Sequence, residues 1–352
     1  MLICVMFKSM KILNLGSPIL VQDLRELGHQ VFSVGLAGCS VNIQYPFTPG
    51  GLSKTLAAAS FTPDCVLWID NGCLPLTVGL EAMRCPSLFY SVDTFCNPWH
   101  MPFANAFDLV LVAQKGYVTL FPSTVSPEWL PLFCQKLPDD LSCENCLSQQ
   151  ERDIPVSFVG TLHPRNIPDR IIFLEEFKRR HPLVMLQGEY FPVFCRSSIV
   201  LNQTAVSEVN FRCFESMACG AALLTEESED GLLDLFTPGV NILPPYQRGN
   251  ADQAADIAKV WLSNPEKLRA ISRAGFELVH KLHTARQRAE QIAKLLEDAV
   301  LGAIHRQRLA ELAKRRILLS TAYAILAVEL EKTLPAHKQH YLELFDSVAQ
   351  HS

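Results

Sequence analysis

Arg212 and Glu215, in the segment Val209–Thr225 (VNFRCFESMACGAALLT), have types and spacing that could do chemistry. Three positions apart in helical text, they share one helix face. A carboxylate near a helix start can accept two hydroxyl protons and so clamp a ribose diol. A guanidinium beside free helix amides suits a diphosphate. Asn210 is of the type that caps such a helix, and Ala218 and Gly220 allow backbone to approach a ligand closely. The blander readings are a surface carboxylate for Glu215 and a structural ion pair for Arg212. Earlier in the chain, Asp70 ends the apolar run CVLWID, Asp93 ends SLFYSVD, and His100 follows seven residues after Asp93. Each can take a proton from a reacting hydroxyl, and each can equally be a cap or a loop hydrogen-bond partner.

These residues need a scaffold that brings strand ends and helix starts together. Short apolar strands are predicted at Lys11–Leu15, Gln30–Val34, Cys65–Asp70, Ser87–Asp93 and Leu109–Ala113, alternating with helical text. That alternation implies parallel β-α-β units. Pro127–Ser148, rich in Pro, Asp, Ser and Cys, is predicted to be a linker. The pattern then restarts, with strands at Val156–Val159, Leu183–Leu186, Ser198–Leu201 and Ala221–Thr225. Helices are expected at Pro168–Arg180, Phe211–Ala218, Ala251–Ser263 and Pro265–Leu282, followed by nearly continuous helical text from Thr284 to Leu330. The expected architecture is α/β, with two Rossmann-like doubly wound domains facing across a cleft. Residues 1–148 form an N-terminal domain, residues 149–297 a C-terminal domain, and residues 298–352 a helical extension. In open sheets of this kind ligands sit beyond the carboxyl ends of the strands.

Several segments together resemble the glycosyltransferase-like family related to the spore-maturation protein CgeB, within the two-domain GT-B glycosyltransferases. They are Asp93–His100 (DTFCNPWH), Phe107–Tyr117 (FDLVLVAQKGY), Trp129–Leu132 (WLPL), Ser157–Arg165 (SFVGTLHPR), Val209–Thr225, Leu235–Gly239 (LFTPG) and Gly275–Arg288 (GFELVHKLHTARQR). The resemblance implies transfer of a sugar from a nucleotide-diphosphate sugar to a protein, glycan or lipid-linked glycan, with the donor in the C-terminal domain. Glu215 then matches the carboxylate that holds the donor ribose. Many retaining relatives carry a second acid eight residues earlier; here that position is Ser207, with Glu208 beside it. The Gly160–Thr161 amides and Arg165 are placed to meet donor phosphates, Arg165 being otherwise a solvated loop residue. Gly188 and Tyr190 fall where the base would lie, although a Tyr in such text is more often packed. Acceptor-side candidates for the base of an inverting reaction are Asp93, His100 and Asp70. A retaining reaction needs none.

Composition limits the other classes. The 352 residues are 49% apolar and 19% charged with a formal net charge of -5, which suits buried cores and gives no basic surface for nucleic acid. The longest apolar run, Ile317–Val328, is shorter than a membrane span, and MLICVMFKSMKILNLG has no secretory-leader pattern, so a cytoplasmic protein is expected. The twelve cysteines are scattered, as reduced thiols are. Cys143 and Cys146 form a Cys-x-x-Cys pair whose plain reading is two free linker thiols. No Asp-x-Asp occurs, and Glu226–Asp230 (EESED) is expected to be a solvated loop, so no metal and no cofactor are expected. No Gly-x-Gly-x-x-Gly follows a strand, which disfavours a nicotinamide dehydrogenase. An epimerase or hydrolase on the same fold, and a non-catalytic binding module, remain as alternatives. The apolar set Leu309, Leu312, Ile317, Leu318, Tyr323, Ile325, Leu326 and Leu330 either packs on the chain itself or joins a second copy as a homodimer.

Overall fold

The computed structural model describes residues 8–35, 43–44, 56–57, 60–72, 74–75, 77–135, 152–163, 168–331 and 335–349. Arg165, Cys143 and Cys146 lie outside these. The chain divides into two compact units: residues 1–131 with 288–352, and residues 132–287.

The first unit holds a seven-stranded sheet in the order β3-β2-β1-β4-β5-β6-β7. The strands are β1 (Lys11–Gly16), β2 (Gln30–Gly35), β3 (Ile43–Gln44), β4 (Cys65–Ile69), β5 (Ser87–Ser91), β6 (Leu109–Val112) and β7 (Pro127–Trp129). All neighbouring pairs are parallel. β4 and β5 are buried along their whole length, so they read as unbroken apolar runs rather than alternating ones. β7 is the last strand of the sheet, so the expected linker begins as structure. Val112 aligns with Trp129, and the Trp129 indole donates to Ala113 O at 3.1 Å.

Helices α1 (Val21–Glu26) and α2 (His100–Phe103) belong to this unit. Its core is aromatic: Trp68, Phe89, Trp99, Phe103 and Phe107 pack with ring centroids 4.9–6.3 Å apart.

The second unit holds a four-stranded parallel sheet, β11-β10-β8-β9. Its strands are β8 (Ile154–Val159), β9 (Val184–Leu186), β10 (Ser197–Asn202) and β11 (Ala222–Thr225). Its helices are α3 (Pro168–Arg180), α4 (Phe191–Phe194), α5 (Phe211–Ala218), α6 (Leu232–Leu235), α7 (Ala251–Leu262) and α8 (Pro265–Leu282). The starts of α7 and α8 are capped by Asn250 and Asn264, which accept from the amides of Gln253 and Lys267.

The text after Thr284 is broken into α9 (Ala285–Gly302), α10 (His305–Ala310), α11 (Leu312–Leu330) and α12 (Pro335–Ala349). Beyond Gln287 this segment is part of the first unit. Leu319, Tyr323, Leu326 and Leu330 enter its aromatic core. The buried seam therefore differs from the expected face: Leu319 is buried, whereas Ile317 is 48% exposed. Arg308 fastens α10. Its guanidinium is wholly buried, with Nε 2.9 Å from Asp108 Oδ1. Nη2 donates to the carbonyls of Met83 and Cys85, each at 2.9 Å, and Nη1 to those of Leu80 and Glu81.

Removing Arg308 would take the cation from Asp108, which would keep only the Ser87 amide and hydroxyl, and would take a donor from each of four carbonyls. Arg308→Ala is expected to cost about 3–5 kcal/mol. Chemical denaturation monitored by tryptophan emission measures it, since Trp68 and Trp99 sit in this core. A loss below about 1 kcal/mol would mean that the C-terminal helices are not integral to the first unit.

Candidate functional site

The C-terminal ends of β8 and β10 are tied together by one side chain. Arg212, in the first turn of α5, donates from Nε to Val159 O at 2.9 Å and from Nη1 to Asn202 Oδ1 at 2.7 Å. Its guanidinium lies 4.4 Å from the Phe158 ring centre. Nη2 rests against Gly160, where a Cβ would fall 2.2 Å from it. Gly160 is therefore required by the close approach of Arg212.

Arg170, on α3, is a second buried guanidinium at the same edge. It donates to Gln203 Oε1 at 2.8 Å, to Gln203 O at 3.2 Å and to Thr161 O at 3.2 Å. It lies 5.5 Å from the Phe158 ring centre, and burial, helped by the charge of Arg212, lowers its pKa to about 10. Neither guanidinium has a carboxylate within salt-bridge distance among the described residues. The edge thus carries positive charge without a bonded anion. Arg170 was not anticipated from the sequence; its signal was a basic residue in the first turn of a helix just after a strand-end glycine loop.

Glu215 lies one helical turn from Arg212. Its side chain is nearly buried, and its carboxylate accepts no hydrogen bond among the described residues. Arg212 is committed to Val159 and Asn202 and reaches Glu215 only through space. Burial wins that contest and raises the Glu215 carboxyl to about 7.

Tyr190, half-buried at the start of α4, packs its ring tilted against Phe194 with centroids 5.3 Å apart. Its hydroxyl is pushed up by burial and then by the charge of Glu215, so the two groups belong to one neighbourhood. Gly188 is exposed at φ +109°, beside Gln187, whose Oε1 accepts from the Leu162 amide at 3.0 Å. That bond ties the loop after β9 to the loop after β8, which carries Gly160 and Thr161.

Two expectations in this region are corrected. Asn210 occupies the N-cap position of α5 without making the cap bond; it donates to Asn202 Oδ1 at 3.3 Å instead. Arg212 competes for the same Asn202 oxygen and fixes its direction. Glu226 is no solvated loop residue. It is 1% exposed, and one of its oxygens accepts from the Thr204 amide at 3.0 Å and from the Thr204 hydroxyl. Gly220 closes α5 where the sequence expects the helix to end: it sits at φ +72°, with Ala221 N donating to Ser216 O at 3.1 Å. The loop between β10 and α5 is self-bonded as well. Glu208 accepts from the amides of Ala205 and Val206, and Ser207 takes φ +64°.

In the first unit, Asp70, Asp93 and His100 do converge at the ends of β4 and β5. The Asp70 carboxylate accepts from Gly72 N and Asp93 N, both at 2.8 Å. His100 is fully buried, with Nδ1 2.8 Å from Ser91 Oγ and Nε2 3.7 Å from Asp70 Oδ1. Burial lowers its pKa to about 4, against the pull of Asp70. Asp93 is the partly exposed member of the three.

Two parallel-sheet α/β units with a helical C-terminal region make the GT-B architecture. Residues 146–294 match the family described as glycosyl transferase-like. No curated protein matches the sequence. Among solved structures, the chain is similar to Anabaena HepE in complex with UDP and glucose, at 15% identity and TM-score 0.60, covering 82% of this chain and 100% of that one. It is also similar to sucrose-phosphate synthase from Thermosynechococcus elongatus, at 11% identity and TM-score 0.58, covering 83% and 100%. A glycosyltransferase from Rickettsia africae aligns at 8% identity and TM-score 0.58, covering 84% and 99%. Among the described residues, no helix is long and apolar enough to cross a membrane, and no group of three or more His, Cys, Asp or Glu is placed to hold a metal.

The raised Glu215 value has a consequence for stability. Its folded pKa, about 7, lies above the ordinary 4.5 of the unfolded chain. Between these values the folded protein holds a proton that the unfolded chain releases, so stability falls as pH rises through this window. Glu215→Gln removes the penalty. The variant is expected to be more stable than the parent by about 1–3 kcal/mol at pH 8 and nearly equal to it at pH 5. Melting curves at the two pH values test this, and an equal shift at both would sink it.

Proposed function

We propose that the protein is a glycosyltransferase that moves a sugar, of the hexosyl type, from a nucleotide-diphosphate sugar bound by the second unit. The observation that carries the reading is Glu215: a nearly buried carboxylate without a hydrogen-bond donor, at a strand-end edge that also holds two guanidiniums without salt-bridge partners. A ribose diol supplies the two O–H donors that the carboxylate lacks, and a diphosphate supplies the anion. Glycosyl transferase-like sequence over residues 146–294 supports the same reading. UDP is the first nucleotide to test, because HepE is crystallised with UDP-glucose. Within the class, the chain's segments point to the CgeB-related branch.

In the transfer, an acceptor hydroxyl oxygen attacks the anomeric carbon. The bond from that carbon to the diphosphate oxygen breaks, and the electron pair leaves with the nucleotide. Arg170, Arg212 and the loop amides after β8 stabilise that charge, with no metal required. In an inverting reaction the hydroxyl proton passes to a base. Asp93 takes this role in the first unit, because Asp70 is buried and engaged by two amides and His100 is out of solvent. The acceptor is a glycan, a lipid-linked glycan or a protein.

Isothermal titration with UDP tests the donor half. Glu215→Ala is expected to weaken UDP binding by about 1–3 kcal/mol, the scale of lost hydrogen bonds to a charged group. Undiminished affinity in the variant, or no binding by any of a panel of nucleoside diphosphates, would refute the reading.

Asp93→Asn tests the acceptor half. It should lower turnover by about 100-fold or more while UDP affinity stays within a few-fold. Full activity in Asp93→Asn would point to a reaction without a protein base.

A further inference from the structure

The turn that carries Asp93 is anchored from below by groups with a single consistent set of proton positions. Asp70 sits at the end of β4, and its carboxylate is acceptor-only. One oxygen takes the Gly72 amide and the other the Asp93 amide. Oδ1 also faces His100 Nε2 at 3.7 Å. A bare ring nitrogen there would set one lone pair against another, so the proton of the neutral ring belongs on Nε2. Nδ1 is then an acceptor, and Ser91 must donate to it across 2.8 Å. Ser91 Oγ is thereby left to accept from the Thr94 hydroxyl at 2.6 Å.

The rest of the surroundings hold the ring in that state. Trp99 packs edge-on at 4.3 Å, Phe89 at 5.2 Å and Trp68 at 6.2 Å, and Asp70 is the charged group that faces it. Burial favours the neutral ring, in keeping with its lowered pKa. Nε2 has no hydrogen-bond partner, because 3.7 Å is an electrostatic contact and not a bond.

We propose that Asp70 and neutral, Nε2-protonated His100 are positioning residues, which fix the Asp93 turn at the sheet edge so that Asp93 alone of the three meets the acceptor hydroxyl. This rests on the first unit being the acceptor side. It divides the three acid–base candidates into one group that touches substrate and two that act through its backbone.

The test uses the full chain and needs no substrate. Long-range ¹H–¹⁵N spectra of the wild type should show His100 as the Nε2–H form, unchanged from pH 8 to about pH 5. An Nδ1–H form, or a titration near 6.5, would overturn the proposal. Amide hydrogen exchange supplies the second readout. With the fold intact by circular dichroism, His100→Phe should speed exchange at Asp93 by tenfold or more. His100→Gln, which restores an N–H toward Asp70, should return it to within threefold of the parent. Asp70→Asn, with one acceptor oxygen in place of two, should speed exchange at Asp93 or Gly72 by a similar factor. Unchanged exchange in both His100→Phe and Asp70→Asn would overturn it. UDP titration of the same samples separates the two readings: absent binding by the wild type counts against the donor site, while the ring's protonation still decides the positioning role.

Discussion

The commitment of Arg212 to main-chain and amide oxygens is the constraint on which the strand-end edge of the second unit depends. The guanidinium joins the ends of β8 and β10 through Val159 O and Asn202 Oδ1. Three consequences follow. Gly160 must lack a Cβ, because Nη2 occupies that space. Asn210 is drawn to Asn202 and away from capping α5. Glu215, one turn along the helix, has no cation bonded to it, although Arg212 is the residue its spacing would pair it with. Burial raises the carboxyl in that position to about 7, so near neutrality it is divided between its protonated and ionised forms.

Burial alone does not mark a site in this protein. The first unit also buries arginines on carbonyls: Arg308 on four of them, Arg315 on Phe107 O at 2.8 Å. These act as stitches between the C-terminal helices and the segments they cover. Among carboxylates the same distinction applies. Asp70 has two amide donors, Glu208 two, and Glu226 one amide and one hydroxyl. Each holds a loop. Glu215 accepts no hydrogen bond among the described residues, and the through-space charge of Arg212 offsets only part of its desolvation cost.

Much of the scaffold was legible because parallel, doubly covered strands read as unbroken apolar text. CVLWI and SLFYS became β4 and β5 within a residue or two of their expected limits. Helix α5 was legible to the residue, from a small-residue closure at Gly220. What escaped was set by tertiary packing. β7 has only three residues and starts with proline, so its edge pairing to β6 left no pattern. The α11 face shifted because Leu319, and not Ile317, meets the aromatic core. EESED looked solvated because four of its five residues are acidic, yet its first Glu follows β11 directly and turns inward to Thr204. Arg170 carried no distinctive motif. Its position depends on Thr161, in the loop before its helix, and on Gln203, which is remote in sequence.

The charges at the proposed donor edge would set the sign of its response to ligand. A diphosphate brings negative potential, which by itself would push the Glu215 carboxyl further up and oppose the ionised form that a diol needs. The two guanidiniums near Phe158 act the other way. Both are held by neutral oxygens, so neither charge is cancelled by a bonded carboxylate before the ligand arrives. Charge compensation at Arg170 and Arg212 therefore lets the anion sit close to a carboxylate without raising its pKa by the full unscreened amount. On the proposed reading, a bound diol would donate to the carboxylate and lower that pKa, so proton release would accompany ribose binding rather than phosphate binding. In the proposed donor reading, phosphate and ribose recognition would be coupled through one helix turn, the spacing from Arg212 to Glu215.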